Sequence, residues 1–356
     1  MKKTVRLLSA VLAVLVLMSV VSGLSVSAAV VKGTSGSVKW KLNTSTGNMI
    51  IWGKGAINDF EYPSDVPYHK YVGKIKKVEI RDGVTEIGFH AFANCNHLTS
   101  VKIPASVYRI GSDAFENCRS LTSVVIPSRV TTIEDYLFAG CTRLKAVYIP
   151  ASATSISKYS FMTVIKNDNY GFDKNFTVVT KKGSAADKAA KKNVKVSYAT
   201  LSAEKATLKA GGTKALTLSG ATASGWLSQT TSVARIKDGT VTGLRKGTAV
   251  VGAKLANGAV VTCNITVSNN PSLKINGAAF DASKTYAVKK GSSLSVSISG
   301  KAASVNNSYS TTDKNVAAVT SGRAASKVSI AGFKAGSAIV TIKVNGVAFK
   351  VKVKVK

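Results

Sequence analysis

Residues 87–109 read IGFHAFANCNHLTSVKIPASVYR; residues 110–132 follow as IGSDAFENCRSLTSVVIPSRVTT and residues 133–155 as IEDYLFAGCTRLKAVYIPASATS, before Ile156 opens a fourth, incomplete unit. The period is 23 residues throughout, and self-similarity at such a period marks a stacked-repeat architecture. Within each unit Leu98, Val101 and Ile103, or their equivalents Leu121, Val124, Ile126 and Leu144, Val147, Ile149, form an L-x-x-L-x-L pattern. Alternate residues of a strand share a face, and these face inward. Pro104, Pro127 and Pro150 end the strands, because proline cannot donate to a ladder. Val107 with Ile110, and Val130 with Ile133, fill the far wall, while Phe92, Phe115, Phe138 and Phe161 are expected in one interior column. Each buried ring contributes roughly 1.5–3 kcal/mol. A single coil cannot bury its own apolar face, so coils must stack, with strands about 4.8 Å apart.

Upstream, KWKLNTSTGNMIIWGKGAI alternates Trp40 and Leu42 with polar residues, turns at Thr46, Gly47 and Asn48, and resumes in the apolar run 49–52, the pattern of a β-hairpin. Downstream, 176–180 reads as a strand, 184–192 as a short helix with Ser184 and Asp187 placed for a capping box, and 194–198 as a closing strand. The segment 163–175 departs from the repeat and is expected as an irregular loop. The motif AFxNCxxLTSVxIPxSVxxIG resembles the BspA-type leucine-rich repeats of bacterial surface proteins. The resemblance implies a solenoid over residues 30–200, with the hairpin as its N-terminal cap, the helix and strands as its C-terminal cap, and a role in adhesion or recognition.

From Leu201 the composition shifts to Ala, Thr, Ser, Val, Gly and Lys in short alternating runs separated by Gly or Asn turns, the signature of a β-sandwich. Two copies are visible, 201–270 and 271–356: Gly243 and Gly247 recur as Gly332 and Gly336, and Val233-Ala234-Arg235-Ile236 as Val316-Ala317-Ala318-Val319. Both resemble the bacterial immunoglobulin-like group 2 domain. The second diverges, with about six extra residues around 321–327 and Tyr309 where the first has Trp226. Asn269, Asn270 and Pro271 form a short linker, so a fairly stiff tail is expected. The fold class is therefore mainly β: a short solenoid with caps, followed by two immunoglobulin-like domains.

Met1, Lys2, Lys3 and Arg6, an apolar core at 7–21 and the small residues Ser27, Ala28 and Ala29 read as a signal peptide over 1–29. No cysteine lies near the cleavage site and the far end reads FKVKVKVK, so no lipid or transmembrane anchor is expected after cleavage, and the protein is expected to be secreted or at the cell surface, as a monomer. Cys95, Cys118 and Cys141 recur at the repeat period and Cys263 stands alone, which favours buried free thiols over disulfides. The net charge is +32; residues 30–200 hold 24 basic and 13 acidic residues, and residues 201–356 hold 22 and 4. Such an excess draws polyanions, among them anionic wall polymers, acidic polysaccharides and anionic lipid surfaces, or else serves only for solubility.

No catalytic, cofactor or metal constellation emerges. His69, His90 and His97 are the only histidines, and His90 and His97 occupy repeat positions held elsewhere by Asp113, Tyr136, Ser120 and Arg143. Asp113 with Glu116, or Asp59 with Glu61, read as solvated turns rather than a glycosidase pair. The Gly-rich stretches lack a phosphate-loop context, and no nucleic-acid motif accompanies the basic residues. The candidate ligand face is the outward ladder of Lys77, Glu79, Lys102, Val125 and Tyr148, for an extracellular protein or polysaccharide. Its competing reading is plain cross-strand pairing, Glu79 with Lys102 and Val125 with Tyr148. The β-domains are expected as a spacer and as non-covalent attachment to anionic wall polymer; a surface-layer scaffold and an accessory module for polysaccharide degradation are the alternatives.

Overall fold

The computed structural model describes residues 29–166, 169–303, 307–320 and 326–356. The expected signal peptide falls outside the described residues except for Ala29, as does most of the extra segment at 321–327. The chain is mainly β, with one α-helix of two turns or less, Ala185–Ala190, among the described residues.

The 23-residue period appears directly as strand register. Lys77–Ile80 pairs in parallel with Ser100–Lys102, so that Lys77 meets Ser100, Val78 meets Val101 and Glu79 meets Lys102. A bridge joins Val125 to Tyr148, and Ala146–Tyr148 continues in parallel to Thr177–Thr180 and then Lys195–Tyr198. On a second wall Glu86 and Ile87 pair with Arg109 and Ile110, and Thr132 and Ile133 with Ser155 and Ile156. The turns form a third ladder through backbone bonds such as Phe92 N to Ala114 O at 2.8 Å and Asn117 N to Ala139 O at 2.7 Å. Many backbone groups on each wall thus find their partners one unit away, which is why the units stack rather than close on themselves.

Between these walls runs the aromatic column. Phe92 stacks on Phe115 at 5.5 Å and Phe115 on Phe138 at 5.9 Å, and Tyr68 extends the column at 6.1 Å from Phe92. The Tyr68 hydroxyl donates to the Ala91 carbonyl at 2.7 Å, which makes its burial affordable in hydrogen-bond terms. Trp40 meets Tyr68 edge-on at 5.4 Å, tying the preceding sheet to the column. That sheet is the expected hairpin, Val38–Asn43 with Asn48–Gly53, plus a further strand Val30–Ser35 at its edge. Asn48–Gly53 then pairs in parallel with Lys77–Ile80, feeding the repeats. The cysteines are free and buried; Cys118 and Cys141 donate their thiols to the carbonyls of Phe92 and Phe115.

At the other end one half of the expected capping box forms: the Ser184 hydroxyl accepts from the Asp187 amide at 3.2 Å, whereas the Ser184 amide donates to the Lys181 carbonyl. Asp187 in turn accepts from the Gly183 amide at 2.7 Å. The segment 163–175 is a correction. Instead of an irregular loop it contains a hairpin, Met162–Lys166 with Asn169–Phe172. The run Met-Thr-Val-Ile favours a strand.

Beyond Thr200 the described residues form two units with the same strand order. In the first, a four-stranded sheet runs Lys205–Leu208, Val260–Val267, Gly247–Lys254, Gly225–Ser228, and shares a core with the sheet Thr213–Ala215, Thr240–Gly243, Ala234–Lys237. In the second, Thr285–Val288, Val347–Val355, Gly336–Val344, Ser308–Thr311 repeats the four-stranded order, opposite a sheet containing Ser293–Ser299, Lys327–Gly332 and Ala317–Val319. The recurring glycines share a cause: Gly247 at φ 147° packs against Val233 and Gly336 at φ 151° against Val316, where a side chain has neither room nor an accessible backbone conformation.

Candidate functional site

The outward ladder of the repeats divides into two halves with different fates. Lys77 is exposed and Glu79 and Lys102 are half-exposed, and Lys102 donates to Glu79 at 3.2 Å. Val125 and Tyr148 are only 6% and 1% exposed. The first β-unit covers them. Val125 and Ala105 form a buried cluster with Val250 and Val260, packed by Leu227, while Ala146, Tyr148 and Val179 join the core of that same unit. Burial, with help from the negative charge of Glu204, pushes the Tyr148 phenol well above its ordinary range.

The ladder expected to bind a ligand along its whole length is therefore corrected at its apolar end, which is an internal interface. The physical reason is the hydrophobic effect: an apolar strip of Val125, Ala146 and Tyr148 is more stable against a second apolar face than against water. The expected cross-strand pairs are both present, Glu79 with Lys102 and Val125 with Tyr148. The first β-unit accordingly lies along the repeats rather than extending away from them as a simple stalk.

Where the two modules diverge they leave a cleft of about 280 Å³. Its repeat wall is made by Ser100, Lys102, Ser123 and Val125, and its opposite wall by Leu227, Ser228, Gln229 and Val260. The Gln229 Oε1 atom is buried with no hydrogen-bond partner among the described residues, and Lys102 and the serines Ser100, Ser123 and Ser228 line the same cleft. At one border, burial raises the Asp82 carboxyl, opposed by the Lys102 charge and by a hydrogen bond from the Thr248 hydroxyl of the β-unit. Sequence reading missed this wall. Gln229 lies in a stretch of small polar residues, and only the docking of the two modules brings it opposite Lys102.

Two other concavities occur on the repeats. At the turn ladder, a polar cleft of about 460 Å³ is lined by Asp59, Phe89, Arg109, Ser112, Asp113, Glu134, Asp135 and Tyr136. Asp59 is held there by Arg109 at 3.0 Å and by the Phe89 amide at 2.7 Å, contacts that lower its pKa although desolvation opposes them. Desolvation and the neighbouring charge of Glu116 push the Asp113 carboxyl up to about 6. His90, Asp113 and Glu116 each offer a ligand atom within 4.8 Å of the others, the one group of this kind among the described residues. The His90 ring is fixed through Nδ1 by the Phe60 carbonyl at 3.1 Å. At the end of the column, a cavity of about 580 Å³ is bounded by the apolar Phe138, Leu144, Phe161, Met162, Phe172 and Phe176 and by the polar Thr142, Lys145, Ser160, Asp173 and Lys174.

None of these places pairs a serine or cysteine nucleophile with a histidine among the described residues: the ring contacts of His69 and His90 go to the carbonyls of Pro63 and Phe60. The thiols are equally unsuited, since burial pushes Cys95 up to about 12. No helix of the described residues is long and apolar enough to cross a membrane.

The chain is similar in part to several proteins of known structure. A leucine-rich repeat protein of Eubacterium ventriosum ATCC 27560 is 21% identical over 43% of this chain and 45% of its own length, with a TM-score of 0.34. A leucine-rich repeat protein of T. pallidum is 24% identical over 42% of this chain and 71% of that one, with a TM-score of 0.28. Domains 4 and 5 of the S-layer protein SbsC are 26% identical over 44% of this chain and 96% of that one, with a TM-score of 0.20. No curated protein matches the chain. The model of the BspA type leucine rich repeat region matches residues 68–183 in 6 copies, the same residues that carry the register and the aromatic column.

Proposed function

We infer that this is a non-catalytic recognition or adhesion protein of the bacterial surface, exported by the segment 1–29. Residues 30–200 act as a capped solenoid, and 201–270 and 271–356 as immunoglobulin-like domains. The ligand is an extracellular protein or polysaccharide, taken at the open end of the ladder, Lys77, Glu79 and Lys102, and in the adjoining cleft. The observation that carries this reading is the cleft itself: Ser100, Lys102 and Ser123 on the repeat wall lie opposite Ser228 and Gln229 on the wall of the β-unit, beside the apolar Val125 and Leu227. A concave site at a module boundary, mixing apolar walls with a few convergent polar groups, is how proteins commonly hold small polar ligands and glycan units.

The test uses the full chain, because a fragment ending at residue 200 would expose Val125 and Tyr148. Binding to a glycan array and to a panel of matrix proteins is compared for the wild type, Lys102→Ala and Gln229→Ala. Loss of at least one specific signal in both variants supports the reading. A profile that survives both substitutions removes the cleft from recognition. Ordered two-dimensional assembly with no ligand signal at all would favour a surface-layer component instead.

A further inference from the structure

The two β-units are built alike but differ on one face. Their long hairpins align through Gly247 opposite Val267 and Gly336 opposite Val355. By this register Thr262, Asn264 and Thr266 of the first unit correspond to Lys350, Lys352 and Lys354 of the second, and Val250 corresponds to Ile339. In the first unit the hairpin is buried on both sides: Val251, Val261 and Cys263 face its own core, and Val250 and Val260 face the repeats. In the second unit Val351, Val353 and Val355 are buried while Lys350, Lys352 and Lys354 are exposed, and Ile339 is 37% exposed. The face that one unit uses to grip the repeats is left open in the other.

That open face is chemically defined. Alternate residues of a strand lie ~7 Å apart on one side, so the three lysines form a straight row. Ser337, Ile339 and Thr341 flank it on one side and Thr285 and Ala287 on the other. Lys343 adds a further charge on the neighbouring strand. Residues 271–356 contain 14 basic residues against two acidic ones, Asp281 and Asp313. Among the described residues no carboxylate forms a salt bridge with any lysine of the row. A row of like charges is destabilising by itself and is relieved by a counter-charge that repeats along a line.

We propose that the sheet face carrying Lys350, Lys352 and Lys354 is the attachment surface for a linear phosphodiester polymer of the cell wall, its successive phosphates meeting successive lysines. This rests on the surface-protein reading above and assigns the wall-binding role to one face of one unit. The serine and threonine hydroxyls beside the row donate to phosphate oxygens, and Ile339 packs against the polymer's carbon backbone. The first unit, with the uncharged Thr262, Asn264 and Thr266 at the equivalent positions and with Val250 and Val260 packed against the repeats, does not bind.

Purified walls that carry phosphodiester polymer, and the same walls stripped of it with hydrofluoric acid, are titrated with full-length protein. Three proteins are compared: the wild type, K350Q/K352Q/K354Q, and the charge-matched K205Q/K209Q/K214Q, which alters exposed lysines of the first unit. The expected result is binding to untreated walls only, weakened about tenfold or more in the first variant and little changed in the second. The plot of log K against log salt should become shallower by about two, as expected for three lost phosphate contacts. Equal weakening in both variants would overturn the proposal in favour of a diffuse charge effect, and retained binding to stripped walls would overturn it in favour of another polymer. Association of protein copies that the first variant abolishes, without wall binding, would overturn it in favour of self-assembly. Failure of the surface reading is a separate outcome, seen as specific glycan or protein binding absent in the array while wall binding persists.

Discussion

The Asn345 side-chain amide donates to the Leu244 carbonyl at 2.9 Å, across the boundary between the two β-units. The same amide nitrogen donates to the Gly300 carbonyl at 2.7 Å, and its oxygen accepts from the Ala302 amide at 3.0 Å. Asn345 is 5% exposed and sits at φ 49°, in a tight hairpin turn with Gly346 at φ 86°, the conformation that Asn-Gly turns favour. One residue therefore shapes the turn and clamps two units.

Replacing Asn345 separates these roles. Asn345→Gly keeps the turn geometry and loses all three side-chain bonds, leaving buried carbonyls and an amide without partners. A loss of about 1–3 kcal/mol is expected, together with greater inter-unit freedom. Chemical denaturation measures the first and small-angle scattering the second; an unchanged scattering profile and midpoint would contradict the clamp.

Tyr148 tests the docking of the first β-unit on the repeats. Tyr148→Ala in the full chain is expected to cost about 3–5 kcal/mol, as for other buried aromatics. It should also raise binding of a hydrophobic dye, because Val125 and Ala146 become wetted. Limited proteolysis should find new cleavage near 199–201, between the modules. If Tyr148→Ala behaves like an exposed substitution such as Tyr62→Ala, the interface is not formed in solution.

Asp113 makes stability fall as pH rises. Its carboxyl is raised from 3.8 to about 6 in the folded protein, so the folded state holds its proton more tightly than the unfolded chain. The contribution is full below about pH 4 and is lost between about pH 4 and 6. Asp113→Asn removes this loss, and asparagine tolerates the local φ of 55°. The variant should be more stable than the wild type at pH 7.5 by ~1 kcal/mol, a figure reduced from the full linkage value because the side chain is partly solvent-screened. The advantage should vanish near pH 4. Denaturation midpoints at both values check the sign.

The four thiols should be silent in the native state. All are buried and free, and burial pushes Cys95 up to about 12 and Cys263 up to about 11. A thiol reagent at pH 8 should label none within minutes and all four after unfolding. Rapid native labelling of any of them would mean that the repeats or the first β-unit open readily.

The register of the repeats was legible without a structure because it depends on local spacing. Residues one period apart must stack, so Phe92, Phe115 and Phe138 had to share a column, and Glu79 had to meet Lys102. The glycine pairs at 247 and 336 were legible for the same reason. What could not be read was which outward face would be covered. Val125 and Tyr148 satisfy a simple cross-strand pair as well as they satisfy a docked partner, and both readings give the same local pattern. A signal did exist in the first β-unit, where GTAVVGAK and AVVTC are apolar on both faces, against the clean alternation of AFKVKVKV in the second. A strand that is apolar on both faces expects a neighbour on each. The identity of that neighbour depends on the shape of two assembled surfaces, and only the tertiary structure brings Val250 and Val260 onto Val125.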